Sequence, residues 1–160
     1  MNIILPETGL MIKLNKEDFT AKIISSEKSI QNIIIPKAVF VNSNEYKITA
    51  IGQESFKCNN RIKSIAFPKD SEVEFICQDS FSHSSIESIS IPAKVKQIED
   101  FAFYDCSKLQ KVEFQANSQL LVIGFKAFCG SQIVCFSIPP NVEHIGDFAF
   151  SDCEKLQIVE

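Results

Sequence analysis

Three residue types that a thiol hydrolase uses as nucleophile, base and orienter stand near one another at Cys129, His144 and Asp147. Stacked repeats could bring such residues together, but nothing in the sequence sets that geometry. His83 and His144, the two histidines, both fall in polar stretches that read as turns, where solvated imidazoles are expected. No glycine-rich phosphate loop, H-E-x-x-H pair or G-x-S-x-G elbow occurs. The expectation is no catalytic residue, no metal site and no cofactor.

Six cysteines would allow a disulfide framework in a secreted protein. Their spacing argues for reduced thiols packed as small hydrophobes. Cys106 and Cys153 occupy equivalent slots two repeats apart, farther than a disulfide spans. No C-x-x-C pair is present to hold zinc. Cys77 and Cys135 are candidates for exposed, reactive thiols.

The elements that would position these residues are repeats. Segments beginning at Ile51, Ile76, Ile98, Ile123 and Ile145 each place a phenylalanine five residues on, at Phe56, Phe81, Phe103, Phe128 and Phe150. A second apolar residue follows at Ile62, Ile86, Leu109, Ile133 and Leu156. Unit lengths alternate 25, 22, 25, 22 residues, at the short end of the range for stacked repeats.

After the second apolar residue, side chains one, four and six form a strand-like run: Ile62, Ile65 and Phe67, then Ile86, Ile89 and Ile91, then Leu109, Val112 and Phe114, then Ile133, Phe136 and Ile138. Prolines close three of these runs, at Pro68, Pro92 and Pro139. Ile30, Ile33, Ile35 and Pro36 carry the same signature, so the ladder is expected to hold six strands, about 24 Å long at ~4.8 Å per strand. The stretches between Ile and Phe read as single helical turns. In IEDFAF and IGDFAF one phenylalanine must face inward while the other covers the neighbouring unit. The fold class expected is a repeat solenoid: a parallel β-sheet with short helical turns on the convex side.

Residues 1–50 are expected to form a capping hairpin and a first irregular repeat, and residues 51–160 five repeats, the last incomplete. The hairpin pairs Leu10–Leu14 with Phe19–Ile24 across the polar turn Asn15–Asp18. A second polar turn, Asn42–Glu45, separates Val39–Val41 from Tyr46–Ile48. The last unit reaches Glu160 within its strand, and an uncapped C-terminal strand offers edge-to-edge association with another chain.

Side chains alternating with the buried ones point outward along the sheet: Ser64 and Ala66, Ser88 and Ser90, Lys111 and Glu113, Cys135 and Ser137. This strip is the expected binding face, because solenoids present an extended surface to partners. It lacks the aromatic anchors of tight interfaces and suits weak multivalent contact.

A formal net charge of -4, with no adjacent Lys or Arg, gives no basic footprint for nucleic acid. No stretch approaches the ~20 apolar residues of a membrane-spanning helix, so no membrane insertion is expected. The opening MNIILPETGLMIKL lacks the basic start and unbroken apolar core of an export signal.

IGDFAFSDCEKLQIVE at Ile145 and IEDFAFYDCSKLQKVEF at Ile98 resemble the BspA-type leucine-rich repeat family, whose unit reads IG-x-x-A-F-x-x-C-x-x-L-x-x-I-x-I-P. The initial hairpin, the Ile35–Pro36 strand end and EYKITAIG also match the family's usual start. The resemblance implies a right-handed, leucine-rich-repeat-like parallel solenoid and a role in adhesion at the surface of bacteria or protists. The Cys slot departs from the pattern: Cys106 and Cys153 follow the phenylalanine by three residues, Cys58 by two and Cys129 by one. Two functions follow as expectations: a non-enzymatic protein-binding repeat acting at the cell surface, or an intracellular interaction scaffold in the cytoplasm, which the absent export signal favours.

Overall fold

The computed structural model describes residues 1–27 and 29–159, and the side chains of all but the last two of these. The chain begins with six strands: β1 (Asn2–Leu5), β2 (Leu10–Asn15), β3 (Thr20–Ser26), β4 (Asn32–Ile34), β5 (Ala38–Val41) and β6 (Asn44–Ile51). β2 and β3 form the expected antiparallel hairpin, β1 adds antiparallel to β2, and β5 pairs antiparallel with β6. β3 then runs parallel to β6, which joins the hairpin to the first turn of the stack.

Beyond β6 the chain winds as a β-solenoid of about five turns, each crossing two sheets. One sheet contains β4, β7 (Ser64–Ala66), β9 (Ser88–Ile91) and β11 (Lys111–Phe114), all parallel. The other continues from β6 through β8 (Phe75–Ile76), β10 (Gln97–Ile98), β12 (Val122–Ile123) and β14 (His144–Ile145), again parallel. β13 (Cys135–Phe136) and β15 (Ile158–Val159) pair with each other. The six strands expected in one ladder are therefore present as a group of four and a pair. Glu160 lies outside the described residues.

The second parallel sheet has no counterpart in the sequence reading. Its strands beyond β6 are two residues long, and the buried residues beside them, Val73 and Ile76, Val95 and Ile98, Leu120 and Ile123, are spaced by three rather than two. A period-two search passes over such segments.

The expected helical turns are absent: the described residues contain no helix. In an α-helix every interior N–H bonds four residues back within its own segment. Here alternate N–H groups leave the segment. Phe101, Phe103 and Asp105 donate to the carbonyls of Phe125, Ala127 and Cys129 in the next turn at 2.9, 2.7 and 2.7 Å. Between them Ala102, Tyr104 and Cys106 donate three residues back, to Glu99, Phe101 and Phe103. The backbone reaches this alternation by passing through the left-handed region at the third and seventh residues after each unit's isoleucine: Glu54 and Cys58, Asp79 and His83, Phe101 and Asp105, Lys126 and Gly130, Phe148 and Asp152. Only one of the ten is glycine, so the usual sequence mark of a positive φ is missing.

The core is a ladder of rings. Phe56, Phe81, Phe103, Phe128 and Phe150 stack face to face with centroids 5.0, 4.9, 5.1 and 5.5 Å apart and planes within 5° of parallel. Isoleucines, leucines and valines from both sheets close around them. No single turn buries its own ring; the neighbours do, at ~1.5 to 3 kcal/mol per phenylalanine.

Candidate functional site

The outward strip lies where alternation puts it. Register aligns Asn32, Ser64, Ser88 and Lys111 in one row, and Ile34 with Ala66 and Ser90 with Glu113 in the next. Ala66, Lys111, Glu113, Cys135 and Ser137 are exposed; Ser64, Ser88 and Ser90 are half-buried. Ser64 hydrogen-bonds to Asn32 at 2.8 Å, which extends the strip onto β4, the first of the six expected strands, whose outward residues were not counted in the strip. Lys111 and Glu113 form an ion pair at 2.9 Å, but both are well exposed, so it contributes little stability. The strip is interrupted: β13 pairs with β15 and not with β11, so Cys135 and Ser137 sit beyond the end of the four-stranded sheet.

A second surface follows the left-handed turns. In the first two turns the third residue after isoleucine is Glu54 and Asp79, and Lys57 bridges both carboxylates at 2.8 and 3.3 Å. In the last three turns that residue is Phe101, Lys126 and Phe148, and with Tyr104 and Phe125 the phenylalanines form an aromatic row. Phe101 meets Tyr104 and Phe125 edge to face at 5.6 and 5.3 Å, and Phe125 meets Phe148 at 6.0 Å. The Lys126 ammonium lies 5.4 Å from the Phe125 ring centre and 5.8 Å from that of Phe148. Phe148 is 61% exposed, while Phe101, Tyr104 and Phe125 are partly so. Asp100 accepts the Phe125 N–H at 2.8 Å, and Asp105 meets His83 at 3.0 Å. The paired phenylalanines of IEDFAF and IGDFAF were the legible signal for this row.

The six cysteines are free thiols. Cys106 and Cys153 play equivalent parts, donating to the carbonyls of Phe81 and Phe128 at 3.0 and 3.2 Å. Burial pushes the Cys106 thiol up to about 12. Burial, with Glu99 beside it, raises Cys77 to about 11, opposite to the shift a reactive thiol needs. Cys58 and Cys135 are exposed. Cys129 is raised by burial and then by Asp152, to which its thiol points at 3.6 Å. His144, expected in a turn, is instead in β14, where it pairs with Val122 on the second sheet. Among the described residues no hydrogen bond joins Cys129 to His144, and the Cys129 thiol is turned to Asp152. Among the described residues no group of three His, Cys, Asp or Glu is placed to hold a metal ion, and no helix is long and apolar enough to cross a membrane.

A model of BspA-type leucine-rich repeat regions matches residues 25–157 in six copies. Among solved structures, a leucine-rich repeat protein from Bacteroides ovatus is similar over 99% of this chain and 40% of its own, with a TM-score of 0.86 and 28% identity. A leucine-rich repeat protein of T. pallidum is similar over 98% of this chain and 71% of its own, with a TM-score of 0.84 and 22% identity. The pneumococcal vaccine antigen PcpA matches 100% of this chain and 50% of its own, with a TM-score of 0.73 and 20% identity. The last two likenesses are of fold. The chain thus spans half or less of the length of the Bacteroides and pneumococcal proteins. No curated protein matches it in sequence.

Proposed function

Because the chain belongs to the BspA-type leucine-rich repeat family, we propose that it is a non-enzymatic module that binds a protein partner at a cell surface. The observation that carries this reading is the in-register outer row of the four-stranded sheet, which sets Ser64, Ser88 and Lys111 on a common line beside Ala66, Ser90 and Glu113. A similar structure from Faecalibacterium prausnitzii, 20% identical with a TM-score of 0.53, is described as a leucine-rich cell surface protein. Small polar side chains on a rigid grid give weak single contacts, so avidity from several copies supplies useful affinity.

Binding of the chain, monomeric and displayed multivalently on beads, to immobilised fibronectin, fibrinogen, laminin and collagen tests the reading. Multivalent binding that falls when Ser88→Lys and Ser90→Lys crowd the strip supports it. Absence of binding in both formats refutes it.

One observation favours a second reading, an intracellular interaction scaffold: all six cysteines are free, two of them exposed, which suits a reducing compartment. Fractionation of the source cell separates the two, surface recovery favouring the first and cytosolic recovery the second.

A further inference from the structure

The outer face of the last three turns carries side chains that the fold does not require. Every turn needs a left-handed residue three positions after its isoleucine, and Glu54, Asp79 and Lys126 fill that role as well as Phe101 and Phe148 do. A bulky ring in that conformation costs about 1–2 kcal/mol of backbone strain, which Asp or Asn bears with less penalty. The strain is recovered only in part, since Phe148 remains 61% exposed. Rings held outward at such positions have the composition of an interface anchor.

The charge around the rings selects the occupant. Within residues 99–106, 124–131 and 146–153 stand Glu99, Asp100, Asp105, Asp147 and Asp152 against the single cation Lys126. That is a net -4, equal to the formal charge of the whole chain, gathered beside one aromatic row. The row already holds a cation: Lys126 lies 5.4 and 5.8 Å from two ring centres. Rings that attract cations by their faces, bordered by carboxylates that pair with them, match arginine, whose planar guanidinium stacks on the first and forks onto the second. A second copy of this chain would bring an identical negative face against this one, which disfavours self-pairing here.

We propose that Phe101, Tyr104, Phe125 and Phe148, with Asp100 and Asp147 beside them, dock a basic, arginine-bearing peptide segment of a partner protein. This face is separate from the sheet strip, and its test uses none of the strip residues.

The test is fluorescence anisotropy of the full chain with a labelled peptide of about ten residues alternating Arg and Leu, and with its counterpart carrying Glu for Arg. The Arg peptide should bind saturably, more weakly as salt rises, and the Glu peptide should not. Phe148→Ser should weaken binding about tenfold or more, the loss expected of an interface anchor. Asp147→Asn should weaken it severalfold and flatten the salt dependence; its side chain is exposed, so the variant keeps its fold should Phe148→Ser lose it. No saturable binding of the Arg peptide, equal binding of the Glu peptide, or binding unchanged in both variants overturns the proposal. Concentration-dependent sedimentation abolished by Phe148→Ser, without peptide binding, assigns the row to a second copy and also overturns it.

Discussion

Phe101 and Phe103 are two residues apart and meet opposite fates: Phe103 is fully buried in the ring ladder, while Phe101 leans outward from a left-handed backbone. Stability should follow that difference along the chain. Phe103→Ala leaves a cavity between two stacked rings and should lower the unfolding free energy by about 3–5 kcal/mol, read from urea denaturation, whereas Phe148→Ser should stay within about 1 kcal/mol of the parent. The thiol of Cys106 supplies a pH test. Its value rises from 9.0 to about 12 through burial, so between those values the folded chain keeps a proton that the unfolded chain loses. Its contribution is complete below pH 9.0 and is lost as pH rises through that window. Cys106→Ala should therefore reduce the loss of stability between about pH 8 and about pH 10.5, measured as urea midpoints, because the variant has no proton to retain.

At the level of elements, the turn ladder dictates where a side chain can stand. A Cβ at Gly124 would lie 2.5 Å from the Asp100 amide nitrogen and 2.6 Å from the Glu99 carbonyl carbon, so neighbouring backbones must part to admit it. Gly124→Ala should cost about 1–3 kcal/mol and lower the thermal midpoint, with no change in the far-ultraviolet signature of the β-solenoid. The ring ladder, the β2–β3 hairpin and the inward residues of β7, β9 and β11 were legible in the sequence, because each imposes a fixed spacing of apolar residues. The second sheet and the turn ladder were not. Their order comes from hydrogen bonds between turns, such as Phe103 N–H to Ala127 carbonyl, and backbone groups carry no residue type. The segment IEDFAF reads as helical only while those outgoing bonds are unknown. The outer strip was legible for the same reason as the inner faces, since β alternation fixes both sides of a strand at once. The aromatic row was half legible: its rings stood out, but their conformation at Phe101 and Phe148 did not.

The molecule as a whole is a one-dimensional stack in which each turn touches its neighbours. The β2–β3 hairpin buries Leu10, Ile12, Leu14, Ala21 and Ile23, and the Ile23 carbonyl accepts the Gly52 N–H at 2.8 Å. Removing residues 1–26 exposes the flank of β6 and should lower Tm by roughly 10 °C, about 3 kcal/mol at this size, with aggregation on heating followed by light scattering. The alternation of unit length has a consequence along the same axis. Longer units bulge at one corner, where Ser71 and Ser118 are buried and accept the N–H groups of Val73 and Leu120. The shorter corners at Ala93 and Asn141 fall between, and Asn141 reaches across to the Ser118 carbonyl at 2.8 Å. Along that edge the surface therefore recurs every 47 residues, from Ser71 to Ser118. A partner that read this edge would count in pairs of turns, about 10 Å apart, whereas one lying on either sheet would count in single turns of about 5 Å.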